Sequence, residues 1–475
     1  MKFDSLTGTV VVIGFSVLLI AITTFLSRKK KSAENFFVGD RSLGTWIGAF
    51  TSAAAWTWAP ALFVSSQVAY TKGLPGVFWF IVPNALALVM FAFLAKKTRS
   101  VMEQGYTLPE YIKHRFGAKN QILYDVAIFI VQCYAVITQI LGTFLLLNLL
   151  TGLSKPFLIV VIAIVFLVIA SFRGIRSSVA SDVIKMVMML FVCIFVTPFV
   201  ITKAGGMGVV AGGIGGSTGL LTNLFDGNIA WAYGIPTAIS LLAGVTVDQQ
   251  QWQRAFAIKK DKVTKSFVLA GVLFLIIPLM LSLLGFIASN PNTGIVVDDP
   301  QLAGVGAIAK YFPSIGIAIF AVMVLAALIS AGSAALCAIS SITAVDIYKQ
   351  YFNKKSDDKK LVMVARVTMF VVLAIAVGVA LIPNISILYL QLLVGSFRAA
   401  LFIPTILTLF WKPLKAKPAF YGIIGGMLTG VPIFIYGSII GNSNISTTGT
   451  LISLLLSGII CFVGSKIKNE RVQSA

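Results

Sequence analysis

Gln391 and Arg398 stand seven positions apart in an otherwise apolar run, residues 385–411. Seven residues make about two helical turns, so both project from one face, with the arginine about 10 Å further along. An amide that donates and accepts, next to a planar cation, can hold a small polar solute; a carboxylate or other anion would balance the guanidinium. The structural alternative for Arg398 is to cap carbonyls freed by a broken helix. A second group lies in AFTSAAAWTWAPALFVSSQ, where Pro60 frees a backbone carbonyl one turn earlier, around Trp56. That carbonyl can ligate a cation, or it can simply accompany a packed kink. Ser330 could turn its hydroxyl oxygen toward these carbonyls, and hard oxygen ligands suit a small hard cation. Its neighbours Gly332, Ser333 and Ala334 suit close helix packing. A third group, AISLLAGVTVDQQQWQR, places Gly244 and Thr246 before a dense polar run from Asp248 to Arg254, as an interrupted helix would.

The elements that carry these groups are membrane spans. The 475 residues are 58% hydrophobic and only 11% charged, with a mean hydropathy of +0.96, which no single water-soluble core can hide. The expected fold is an all-α polytopic membrane protein of about thirteen spans. They fall near 7–26, 45–70, 76–95, 121–150, 156–172, 179–202, 230–247, 264–288, 313–347, 361–382, 385–411, 418–438 and 449–466. The net charge of +21 comes from loops after odd-numbered spans, roughly thirty basic residues against roughly five in the others. That distribution explains the charge without a nucleic-acid partner. It places the N-terminus outside and the C-terminus in the cytoplasm, with the plasma membrane as the expected location.

The first span runs straight into RKKK with no small-residue cleavage pattern, so it reads as a retained helix. The four cysteines, Cys133, Cys193, Cys337 and Cys461, sit at scattered depths in apolar spans and suit packing, not disulfides or a metal. The single histidine, His114, lies in a basic loop and offers no haem or zinc chemistry.

The second and seventh spans, each interrupted, lie five apart. Spans two to six and seven to eleven therefore read as two five-helix units, inverted because the number per unit is odd. The expected division is an extra helix and basic loop (1–44), a first repeat (45–203), a Gly-rich outer loop (204–229), a second repeat (230–411) and two further helices with a short tail (412–475).

The chain resembles the sodium/solute symporter family, with the inverted-repeat core typified by the leucine transporter LeuT. The resemblance covers nearly the whole chain and rests on GYTLPEYIKHRFG (105–117), DQQQWQRAFA (248–257), SSITAVDIYK (340–349) and LFWKP (409–413), in family order. WTWAPALFVSS (56–66) and VDQQQWQ (247–253) look most like urea active transporters.

The resemblance implies a sodium site formed by the carbonyls of Ala53 and Trp56 with Ala327, Ser330 and Ala331. Sodium-coupled relatives usually carry two adjacent hydroxyls where this chain has Ser330 and Ala331, so one side-chain ligand is missing. Ala55 likewise replaces a polar residue that proline and glucose transporters carry before the break. Asp182 matches an acidic family residue near the ion route, and Lys185 follows one turn later. Lys185 could take a cation's place, making transport proton-linked or ion-independent, or the two could form a solvated pair at the cytoplasmic end. For substrate, Gln391 matches a glutamine that sugar-transporting relatives use; Trp58, Gln67, Gly244 and Thr246 would complete the pocket. The urea-transporter likeness suggests a small neutral amide, and Arg398 an anion.

The function these readings imply is sodium-coupled symport of a small polar solute by alternating access, with Asp248 and Arg254 in the inner gate or its anchoring. The alternatives are a proton-coupled or ion-independent carrier, and a membrane solute sensor. The short tail after residue 466 argues against an output domain. No nucleophile–base pair or metal cluster points to an enzyme, and no carbonyl or charged ring points to a channel.

Overall fold

The computed structural model describes residues 41–172, 175–312 and 314–467, and of those before them only Gly14 and Val17. Otherwise the expected first span and its RKKK run lie outside the described residues. Nearly everything described is helical.

The first helix fully described is α1 (Thr45–Trp56), built of small residues that are almost all buried toward its end. At Thr57 and Trp58 the backbone leaves the helix. It resumes through a π-helical turn, Pro60–Val64, into α2 (Ser65–Val101). The sequence predicts separate spans at 45–70 and 76–95, and the structure has two helical stretches there that meet in a kink at Gly73, where the backbone leaves the helix with φ +59°. An added Cβ there would lie 2.4 Å from the Leu221 carbonyl oxygen. The loop at 204–229 docks on this kink by backbone hydrogen bonds: Leu74 N–H donates to the carbonyls of Ile214 (2.9 Å) and Leu221 (3.1 Å), and Ser217 N–H to that of Tyr70 (2.6 Å).

The short α3 (Leu108–Phe116), N-capped by Thr107, leads into α4 (Ala118–Thr151), α5 (Lys155–Phe172), α6 (Ile175–Phe191) and α7 (Thr197–Ala204). The loop expected at 204–229 contains a further turn of helix, Met207–Gly212.

The second interrupted helix is α8 (Ile235–Thr246) followed by α9 (Gln249–Ala257). Asp248 caps α9 by accepting the Gln250 N–H at 3.0 Å. There follow α10 (Val263–Ser289), α11 (Ala303–Tyr311), α12 (Ser314–Ser341) with its π-helical continuation Ile342–Phe352, α13 (Asp358–Ala380) and α14 (Ile387–Phe410). The last pair, α15 (Ala416–Ile439) and α16 (Ser443–Lys466), pack through small residues. A Cβ on Gly426 would come within 2.6 Å of the Ser453 carbonyl oxygen, so these backbones touch. Among the described residues ten helical stretches are long and apolar enough to cross a bilayer, with Lys155–Ser171 a shorter apolar one.

Candidate functional site

The site lies where the two interrupted helices meet α4 and α14. The first break releases backbone groups that side chains recapture. Ala59 N–H donates to Gln139 Oε1 at 3.2 Å. Trp56 Nε1 donates to Asn84 Oδ1 at 3.0 Å, and Trp58 Nε1 donates to the Ala55 carbonyl. The indoles are thus held in place, their ring centroids 5.8 Å apart, with Tyr134 of α4 6.0 Å beyond Trp58.

Arg398 lies against this aromatic wall, its guanidinium carbon 4.7 Å from the Tyr134 ring centre and 5.9 Å from that of Trp58. It is 3% exposed, yet its Nε and Nη2 have no hydrogen-bond partner. Gln391, 1% exposed, has neither amide atom partnered. Close packing of α14 on α8 turns this face inward. Ser240 Oγ donates to the Gln391 carbonyl at 3.0 Å, and a Cβ on Gly395 would lie 2.4 Å from Ser240.

Gly244, one turn along from Ser240, leaves room for the guanidinium: a Cβ there would sit 2.9 Å from Arg398 Nη1. Gly244→Ala should therefore leave the fold intact, since the atom it meets ends a flexible side chain, but push Arg398 aside and weaken solute binding by about tenfold. Binding and thermal melting on one purified sample check both parts.

The structure brings Trp58, Gly244 and Arg398 together, while Gln391 lies two turns earlier on α14 with its carbonyl on Ser240 of α8. Two other expected pocket residues differ. The Thr246 hydroxyl donates to the Ala243 carbonyl within its own helix (2.7 Å), and its carbonyl accepts Trp252 Nε1 (2.8 Å). Gln67 lies beyond the π-helical turn on α2, its Oε1 buried and unpartnered, with no hydrogen bond joining it to the others. Tyr134, Asn84 and Gln139 were not expected. Tyr134 and Gln139 sit on α4, which holds no proline, and Asn84 directly follows Pro83 on α2; only tertiary packing reveals their partners.

Of the expected ion ligands, Ala327, Ser330 and Ala331 are buried on α12. The Ala53 carbonyl accepts both the N–H (3.0 Å) and the hydroxyl (2.8 Å) of Thr57, which fills its usual acceptor capacity. The Trp56 carbonyl accepts Trp58 N–H at 3.0 Å.

The reading of Asp182 and Lys185 as a solvated pair is corrected: they are 0% and 4% exposed, because α6 packs against α1 and covers them. Their separation is 3.6 Å, and Asp182 is also paired with Arg254 of α9. Thr51 of α1 donates its hydroxyl to the same carboxylate at 2.8 Å. Arg254 Nε in turn donates to the Thr51 carbonyl at 3.0 Å. Asp248, expected alongside Arg254, instead accepts Gln132 Nε2 at 2.8 Å and lies in the Coulomb field of both Arg398 and Arg254. Residues expected to couple ions and residues expected to gate therefore share one cluster, which ties both interrupted helices together. Nearby, Leu43 N–H bonds to the Ala257 carbonyl (3.2 Å) and Lys259 N–H to that of Leu43 (3.0 Å), joining the segment before α1 to the end of α9.

Residues 36–426 match the model of the Sodium:solute symporter family. The urea-proton symporter DUR3 of Oryza sativa subsp. japonica is 25% identical, over 95% of this chain and 70% of that protein. The urea active transporter of Saccharomyces cerevisiae is 26% identical over 90% of this chain, which spans 62% of that protein's length. Among solved structures, a Na+-coupled sialic acid symporter in a substrate-bound outward-open state superposes with a TM-score of 0.80 at 17% identity, covering 98% of this chain and 99% of that one.

Proposed function

Because the chain belongs to the sodium:solute symporter family, and is thus a multi-span secondary active solute symporter of LeuT-like fold, we propose that it carries a small polar solute bound between Trp58, Tyr134, Gln391 and Arg398. The observation that supports this most is the pair of buried, unpartnered groups on α14, the Gln391 amide and the Arg398 guanidinium, the second of them beside Gly244 and Trp58 at the helix breaks. Burying such groups without partners is costly, so their retention is explained by a ligand that satisfies them. The solute presents a carbonyl or carboxylate oxygen to Arg398 and a further polar group to Gln391. Carboxylates and urea-like amides both meet that description, and the urea transporters among the relatives support the second. The basic loops face the cytoplasm by the positive-inside rule, and the solute enters from outside, in the plasma membrane.

Sodium is the family's usual co-ion, and Ser330 supplies one hydroxyl for it. Two observations favour a proton-coupled reading instead: Ala331 offers no side-chain oxygen, and the Ala53 carbonyl is already doubly occupied by Thr57. Uptake into proteoliposomes of urea, small amides, sugars and carboxylates, under a sodium gradient and then a proton gradient alone, tests both parts. Saturable accumulation of one solute class is expected, driven by protons and unaffected by Ser330→Ala. Sodium-driven accumulation abolished by Ser330→Ala would restore the sodium site, whereas binding without flux would point to a sensor.

A further inference from the structure

A second polar cluster, used neither by the pocket nor by the Arg254 seal, lies at the side of the basic loops. There α4 begins at Ala118 and the π-helical segment Ile342–Phe352 ends, so the two elements run in opposite directions. Tyr351 donates its hydroxyl to Gln121 Oε1 at 2.8 Å, which fixes their register. One turn deeper on each element stand Asp125, four residues after Gln121, and Asp346, five before Tyr351 in a segment wound with i→i+5 bonds. The two carboxylates are 0% and 1% exposed, and Asp125 lies in the Coulomb field of Asp346.

Neither oxygen of Asp125 has a hydrogen-bond partner, and neither has the fully buried Nε2 of Gln121. The charged groups facing the pair come from α3. Lys113 bonds to Gln350 Oε1 and lies 5.3 Å from the Tyr351 ring centre, while Glu110 accepts Tyr106 N–H at 2.9 Å. Neither oxygen of Asp346 has a hydrogen-bond partner either. α13 meets the π-helical segment through Val364 and Ala365. α14 and α15 touch α4 elsewhere, at Tyr124 and Asn120.

Two carboxylates buried without partners one turn from the Tyr351–Gln121 contact, in a low-dielectric seam with a single lysine at its edge among the described residues, do not both keep their charge at neutral pH. We propose that Asp125 and Asp346 share one exchangeable proton, forming a proton site on the face of the basic loops. Gln121 Nε2 supplies the donor for whichever carboxylate is ionised. Loss of the proton leaves two like charges across the seam between α4 and the π-helical segment, and so favours its parting. The seam also reaches the second interrupted helix, because Gln249 Nε2 of α9 donates to the Tyr106 carbonyl at 3.4 Å. The proton therefore sits where its loss bears on opening toward the cytoplasm. This last role alone rests on the proton-coupled reading above; the shared proton does not.

Infrared difference spectroscopy of the full-length protein in lipid, titrated from neutral to alkaline pH with and without sodium, reads the protonated-carboxyl stretch directly. Wild type is expected to keep this band at neutral pH and lose it on alkalinisation, with or without sodium. In Asp125→Asn and in Asp346→Asn the remaining acid, freed of its charged neighbour, should titrate at lower pH, and the double variant should lack the band. A band that survives in the double variant, or singles that titrate as wild type does, would overturn the proposal. So would removal of the wild-type band by sodium at constant pH, which would mark a cation site instead. Should the double variant fail to fold, the two singles decide. Solute counterflow in the same liposomes needs no ion gradient: its absence in wild type would sink the carrier reading and leave the shared proton, read from the infrared band, standing.

Discussion

Arg398→Met is expected to abolish solute binding while the protein still folds. The substitution removes the one cation facing the pocket among the described residues and leaves a side chain of similar reach against Trp58 and Tyr134. Hydrogen bonds to a charged group contribute about 1.5–3 kcal/mol each. Two such bonds from the unpartnered Nε and Nη2 would weaken affinity by roughly a hundredfold or more when lost. Arg398→Lys separates charge from geometry. It keeps the cation but not the planar pair of donors, so a solute held through two oxygens should lose most of its affinity, and one held by charge alone should lose little. Binding by calorimetry with each solute class gives the reading. Normal affinity in Arg398→Met would assign the arginine to capping the helix breaks, and the pocket would have to be placed elsewhere.

Arg254→Ala should act on the transport cycle and not on the pocket. The arginine joins Asp182 of α6 and Thr51 of α1 to α9, all buried. Removing one partner of a buried ion pair costs about 3–5 kcal/mol, because the other is left behind. Lys185, 3.6 Å from Asp182, offsets part of that cost by remaining as a counter-charge. The expected result is a lower melting temperature, a sharp fall in turnover and little change in solute affinity. Asp182→Asn should be worse for stability, since it leaves two buried cations facing each other. An unchanged rate with a large loss of affinity in Arg254→Ala would place the arginine in the binding site.

The features legible in the sequence were those that break a local rule. Pro60 inside an apolar run, and a polar stretch after Gly244, announce interrupted helices because backbone groups at membrane depth must find partners. Gln391 and Arg398 announce themselves by the expense of a polar side chain there. Tyr134 gives no such signal, and Gln139, an amide in an apolar run like Gln391, signals its cost but not its partner at the first break. They lie on α4, which is buried over most of its surface, so periodicity distinguishes no face that would mark them. The burial of Asp182 and Lys185 was illegible for a related reason. Their depth follows from how α1 lies over α6, and the distance of a residue from the end of its span does not record what covers it. The carbonyl of Ala53 is a third case: Thr57 is an ordinary threonine until the break turns both its donors back on that oxygen.

The loop at 204–229 is fastened to the kink at Gly73 by main-chain amides and carbonyls, which every residue except proline possesses in full. Natural selection can therefore see little of the side chains at this loop's exposed positions, in contrast to the buried Val210 and the capping Asp226. Descendants of a common ancestor are expected to diverge freely at exposed positions such as Leu220, 82% exposed, while retaining glycine at positions 73 and 216, whose φ values are +59° and +70°. A stretch of sequence that looks neglected by evolution would then still hold the kink in place, and its tolerance makes it a natural address for an epitope tag on the working transporter.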